Sequence, residues 1–329
     1  MKPLQQQVKD AGLWACHLGP ELGGQGYGQV KLALLNELLG RTRWAPSVFG
    51  AQAPDSGNAE ILAHYGTDEQ KARFLQPLLD GEISSCYSMT EPHAGADPTL
   101  FETTAVRDGD EWVINGYKWF SSNARFASFY ITMVVTNTEV SAYQGMSMFI
   151  IPADTPGIKI IRNVGVGTEP ESEASHGYLH YENLRVPADH LLGGEGQGFV
   201  IAQTRLGGGI SITPCAPSLK VKRAFDMMCE RALSRETRHG RSPRAADDPG
   251  EGCRQLDPDP SSSVCSCCRP PAHRQAPRTT SRSRHDIAAV KAAMPTVYFD
   301  VVQRAMQLHG ALGISNEMPF SSMMVGAPR

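Results

Sequence analysis

The hydrophobic period of the chain changes twice, and those two changes limit what it can fold into. From Met1 to about Gly81 apolar residues recur at three- and four-residue steps, as in VKLALLNELLGR (30–41), the spacing of one helix face. The stretch NAEILAHYGTDEQKARFLQPLLDG (58–81) reads as two helices. The first closes near Gly66; Thr67 caps the second, with Gln70 three residues on to complete a capping box. From Ile83 to Pro187 the period falls to two, with β-branched and aromatic enrichment. Asp108-Gly109-Asp110 signals a hairpin and Asn115-Gly116 a second turn. FYITMVVTN, MSMFIIPAD, IKIIRNV and GYLHYENLRVP then read as strands divided by Gly and Pro. Helical spacing returns in EGQGFVIAQTRLGGG, VKRAFDMMCERALSRE and HDIAAVKAAMPTVYFDVVQRAMQLHGALG (285–313). This order predicts a multidomain α+β chain. Its parts are an N-terminal α-helical domain over 1–82, a middle antiparallel β-barrel-like domain over 83–187 and an incomplete C-terminal helical bundle over 188–329.

One stretch breaks the last pattern. Residues 242–284 are rich in Pro, Ser and Arg and have almost no aliphatic residues, so they cannot bury enough apolar surface to offset ordering. We expect disorder there. So long a structureless insert inside a helical domain is itself anomalous, and the abrupt shift in composition reads as translation out of frame, restored near His285. Four of the eight cysteines, Cys253, Cys265, Cys267 and Cys268, fall in this stretch. Cys265-x-x-Cys268 with Cys253 and His273 is a poor zinc set, because no second well-spaced pair accompanies it; no metal site is expected.

Composition removes several function classes. The chain has 329 residues, 41% hydrophobic and 20% charged, with a net charge of −3. That balance gives no general attraction to nucleic acid or anionic membrane. No run of about 18 apolar residues suggests a spanning helix, and the first residues carry no visible targeting signal. No G-x-S-x-G elbow occurs. GGEGQG (193–198) lacks the dinucleotide spacing and reads as a turn from sheet to helix.

The remaining feature is CYSMTEPHAGAD (86–97), followed about twenty-five residues later by NGYKWFSSNA (115–124). With ELGGQGYG, YGTDEQKARFLQPLLDGEI, ENLRVPADHLLGGEGQGF and MQLHGALGI, these blocks resemble the acyl-CoA dehydrogenase family. The resemblance runs from Met1 to Arg241 and resumes at His285. It implies an FAD-dependent oxidoreductase that desaturates an acyl-CoA thioester between the α and β carbons, in fatty acid β-oxidation and lipid metabolism. Electrons would pass to an acceptor such as an electron-transfer flavoprotein, and the chain would form a homodimer or homotetramer. Localisation would be cytoplasmic in a bacterium, mitochondrial or peroxisomal in a eukaryote. By the same resemblance Tyr87, Met89 and Thr90 touch the flavin ring. Gly95 and Ala96 approach flavin phosphate or substrate through backbone. Phe120 lies beside the ring and Ser122 donates to it near its reactive nitrogen, while strand alternation turns Trp119 the other way, into the barrel. Arg235 resembles an arginine that reaches the FAD of a partner subunit; Gln307 and Gly310 resemble a pyrophosphate-contacting turn.

Departures from the family pattern carry expectations of their own. Position 210 is Ile where the family has an arginine facing acyl-CoA. The stretch 242–284 stands in place of a bundle helix, and the family's carboxylate base is expected beyond Arg329. Activity is therefore expected to be impaired; the alternative is a non-catalytic relic of the fold that binds acyl-CoA or a partner.

Overall fold

The computed structural model describes residues 1–20, 25–42, 44–167, 169–212, 215–237, 240–241 and 281–325. They gather into two compact units, Met1–Gly26 with Ser47–Gly209 and Tyr27–Pro46 with Ile210–Arg329. A piece of the N-terminal helical region thus clusters with the second unit.

In the first unit, helix Lys2–Asp10 is followed by helix Asp55–Tyr65 and a helical run, Asp68–Gln70, Lys71–Leu75 and Gln76–Leu79. Both halves of the expected capping box form: Gln70 N–H donates to Thr67 Oγ1 and the Gln70 side chain accepts from Thr67 N–H. The strands are β1 Ser85–Ser88, β2 Thr104–Asp108, β3 Glu111–Ser122, β4 Phe129–Val135, β5 Met146–Pro152, β6 Ile158–Val164, β7 His176–Pro187 and β8 Leu191–Leu192. They form one sheet in the order β6-β7-β3-β1-β4-β5-β8, with β2 beside β3 and β4. Pairing is antiparallel except where β1 and β2 run parallel to β4.

β4 and β5 are nearly continuous apolar runs because both of their faces are covered. Phe129, Ile131 and Met133 meet Ile61, Leu62, Phe74 and Leu78 of the helical layer. Tyr130, Val134, Phe149 and Ile151 face the other way, onto Trp112, Ile114, Leu179 and Leu184.

The expected hairpin at Asp108-Gly109-Asp110 forms, with Asp108 opposite Glu111 and Gly109 at φ 64°. The second expected turn does not. β3 runs straight through Asn115-Gly116, and the register against β7 shifts there instead, a bulge. Asn115 Oδ1 accepts from Asn183 N–H at 2.8 Å, so the asparagine spends its turn chemistry on a cross-strand bond. Gly116 sits at φ 144°, and a Cβ there would lie 2.6–2.8 Å from Thr103 atoms, side chain and Cα alike. An Asn-Gly pair marks a backbone that needs freedom, and a bulge uses that freedom as readily as a turn.

In the second unit, helices Cys215–Ser234 and Ser281–His309 share a core of Val221, Ala224, Met228, Met294, Tyr298, Val301, Val302 and Ala305, closed by Phe320 and Met323 of helix Phe320–Val325. The spacing 294, 298, 301, 305 is one helix stripe. Helix Gly28–Leu39 packs on Cys215–Ser234, and just beyond it the Arg41 carbonyl accepts from Arg223. Residues 242–280, with most of the stretch expected to be disordered and the cysteine set, lie outside the described residues; the expectation fails at 281–284, where helix Ser281–His309 has already begun. Among the described residues no helix is long and apolar enough to cross a membrane.

Candidate functional site

A second irregularity in β3 builds the site. The register with β7 shifts again between Lys118 and Ser121, and Phe120 adopts φ 51°. β3 carries one extra residue here, Trp119 and Phe120 together standing opposite Tyr178, so Lys118 and Ser121 both turn inward and are fully buried. Trp119 therefore does not enter the barrel as strict alternation predicts. It packs on the other face, 4.7 Å from the Tyr178 ring and 5.7 Å from Phe120. Phe120 remains 52% exposed.

What holds the bulge is a buried ion pair. Lys118 Nζ donates to Glu91 Oε1 at 2.7 Å and to the Met89 carbonyl at 2.8 Å. Glu91 also accepts from the backbone N–H groups of Glu102 and Thr103. Burial raises the Glu91 carboxyl pKa, but the Lys118 charge and these donors outweigh it and hold the group below its ordinary value. The Trp119 N–H donates to the Thr90 carbonyl at 2.8 Å. Beneath the corner Ser88 Oγ accepts from Tyr181 OH and bonds Ser121 Oγ. The Thr-Glu-Pro corner and the bulge on β3 are thus fixed to each other.

They open onto a cavity of about 950 Å³ within the first unit. Five of the expected residues line it together: Tyr87, Met89, Thr90, Phe120 and Ser122. Tyr87 stands opposite Ser122 in the β1–β3 pairing, which brings the two motif blocks side by side.

The cavity wall also holds residues the sequence reading did not single out. Arg205, on helix Gly198–Ile212, sits with its guanidinium carbon 3.8 Å from the centre of the Tyr87 ring. Its Nε donates to Asn58 Oδ1 at 3.0 Å; Asn58 Nδ2 donates to Ser85 Oγ, and Ser85 donates through N–H and Oγ–H to Asp55 Oδ1. Burial pushes the Tyr87 hydroxyl up to about 12, against the pull of Arg205, so it stays protonated at neutral pH. Burial also raises the Asp55 carboxyl, opposed by its Ser85 and Gln52 donors, and lowers the Arg205 guanidinium. His176, at the start of β7, lies opposite Ser122, with Nδ1 2.9 Å from Ser122 Oγ. No local pattern joins positions 55, 176 and 205; only strand pairing and helix packing bring them together.

The other five expected residues lie elsewhere. Gly95 and Ala96 are exposed in the turn after the Thr-Glu-Pro corner and do not line the cavity; a Cβ on Gly95 would meet nothing within 4 Å. Arg235, Gln307 and Gly310 belong to the second unit. There Arg235 Nη1 donates to the Leu308 carbonyl, which sets the guanidinium beside an exposed turn containing Gln307 and Gly310, the latter at φ 64°.

The cavity offers aromatic side chains (Phe120, Tyr87) and a hydroxyl at the strand edge (Ser122). A flat ring fits such a donor set. Comparison with known proteins accords with that geometry. The acyl-CoA dehydrogenase N-terminal, middle and C-terminal domain profiles match residues 2–82, 86–184 and 271–329. The last begins before His285, inside the stretch that the composition sets apart. The probable acyl-CoA dehydrogenase FadE2 of Mycobacterium tuberculosis is 38% identical over 98% of this chain and 79% of its own length. Acyl-CoA dehydrogenase family member 11 of Gallus gallus is 36% identical over 98% of this chain, which spans 42% of that protein. A solved Mycobacterium abscessus structure, provisionally assigned as an acyl-CoA dehydrogenase, matches with a TM-score of 0.84 at 32% identity, over 99% of this chain and 80% of that one. The chain belongs to the acyl-CoA dehydrogenase family of oxidoreductases.

Proposed function

We propose that the chain is an FAD-dependent dehydrogenase that introduces an α,β double bond into an acyl-CoA thioester and passes the electrons to an acceptor such as an electron-transfer flavoprotein. One observation carries the reading: the two motif blocks meet at a single cavity, where Phe120 and Tyr87 present aromatic side chains beside the Ser122 hydroxyl. FAD, when bound, supplies the hydride acceptor.

Phe120, Tyr87, Ser122 and their supports shape and hold the ring site, and the base that takes the α-proton is not among them. Phe120, held out by the bulge, and Tyr87, backed by Arg205, wall the ring site. Ser122 donates a hydrogen bond where negative charge arrives during the reaction, the kind of preorganised donor that favours a charged product. The Lys118–Glu91 pair keeps the backbone of residues 89–91 from shifting as ligand enters. Arg205 adds a cation next to the Tyr87 face, where it steadies electron density on the bound thioester. In the second unit, Arg235 with Gln307 and Gly310 suits an anion such as a pyrophosphate, in a homodimer or homotetramer. The three-part division 1–82, 83–187 and 188–329 belongs to this reading as well.

A second reading, in which the fold binds acyl-CoA without oxidising it, draws on Ile210 in place of the family's arginine. Anaerobic addition of an acyl-CoA panel to flavin-loaded protein separates the two. Bleaching of the flavin band by any thioester supports the first reading. A flavin that binds and shifts its spectrum with acyl-CoA but never bleaches supports the second, and failure to take up FAD removes both.

A further inference from the structure

Ser122 can donate toward a ring in the cavity only if its single hydroxyl proton is not spent elsewhere. A hydroxyl has one proton and two lone pairs. Among the described residues its one side-chain partner is His176 Nδ1, 2.9 Å away. Were Nδ1 the acceptor, the Ser122 proton would point at the imidazole and the cavity would face only lone pairs. Were Nδ1 protonated, it would donate to Ser122 Oγ and leave the hydroxyl proton for the cavity.

The geometry favours an imidazole that is held. His176 and Ser122 are direct partners in the β3–β7 pairing, and His176 is also paired to Val164 on β6. Its ring lies edge-on to Phe120, with centres 6.3 Å apart. Two left-handed residues, Phe120 at φ 51° and Asn123 at φ 70°, bracket Ser122 and fix where its hydroxyl lies. Asn123 is itself anchored, donating through Nδ2 to the Ser85 carbonyl. Both His176 and Ser122 line the cavity.

We propose that His176 is a positioning residue that donates from Nδ1 to Ser122 Oγ and so commits the Ser122 proton to the ligand ring. The inference rests on the flavin reading above. It assigns His176 a role through Ser122 rather than through contact with substrate, just as a hydrogen-bond partner fixes the tautomer and orientation of a metal-bound histidine.

The test is a double-mutant cycle on the full chain, with the flavin midpoint potential as readout. His176→Leu, Ser122→Ala and the double variant are each loaded with FAD. Losing one donated bond to the reduced ring lowers the two-electron reduction equilibrium about tenfold, or about 30 mV. Ser122→Ala should produce that shift, His176→Leu a shift in the same direction and no larger, and the double variant should match Ser122→Ala, because His176 acts only through Ser122. Additive shifts, or no shift in His176→Leu while Ser122→Ala shifts, overturn the positioning role and leave the flavin reading standing. No shift in Ser122→Ala overturns both. A second measurement needs neither variant nor flavin: the ¹⁵N spectrum of His176 in the unmodified protein should carry a proton on Nδ1. A neutral ring protonated on Nε2 alone contradicts the proposal even if no variant folds.

Discussion

The two bulges of the β3–β7 pairing serve opposite ends, the first carrying its extra residue on β7, where Glu182 and Asn183 stand opposite Asn115, and the second on β3. At Gly116, paired with Tyr181 beside the first bulge, Thr103 packs where a side chain would be, and the Thr103 hydroxyl donates to the Tyr117 carbonyl. At Phe120 the backbone takes a left-handed conformation that a large side chain adopts only at a cost, and the ring it delivers is half exposed on a cavity. The first irregularity is answered by protein and the second by open space. Strain with no packing partner is the better guide to a ligand.

The largest effect should come from the pair that sits between the bulges. Lys118→Met leaves the Glu91 carboxylate buried and unmatched, which should cost about 3–5 kcal/mol in urea unfolding and disorder both the corner and the Phe120 segment. A loss below about 1 kcal/mol would mean that the second bulge holds without its ion pair. The same pair has a pH signature. Glu91 titrates below its ordinary 4.5 in the folded chain, so the stability it contributes is present above that value and is lost as pH falls through the lower folded value. The acid limb of the urea midpoint should flatten in Lys118→Met, and an unchanged limb would assign acid unfolding to other carboxylates.

Gly116→Ala comes next. Its Cβ would overlap Thr103, and the φ of 144° suits only glycine, so about 1–3 kcal/mol should be lost, with flavin affinity unchanged. The smallest change in stability should follow Phe120→Gly. It removes the left-handed penalty of roughly 1–2 kcal/mol along with modest burial, so the urea midpoint should move little or rise.

The change of period was enough to read helices, then strands, then helices, and the capping box at Thr67 and Gln70 needed only local sequence. That Tyr87, Met89, Thr90, Phe120 and Ser122 share one cavity follows from two contiguous motif blocks that the β1–β3 pairing sets side by side. Asn115-Gly116 misled because the same residue types serve a turn and a bulge, and only the Thr103 contact tells them apart. Trp119 misled because strict alternation fails across a bulge, and nothing local announces that Lys118 will be the buried residue. Asp55, His176 and Arg205 were not legible at all, since their meeting depends on pairings between positions 27 to 147 residues apart.

The account stands or falls on what the second bulge faces. Titrating FAD into the protein, with flavin fluorescence quenching as readout, should give a dissociation constant that Phe120→Gly weakens by roughly tenfold, the scale of one lost aromatic contact, and that Gly116→Ala leaves within about twofold. Equal affinities for Phe120→Gly and the unmodified chain would contradict the claim that this strand is bent to meet a flavin.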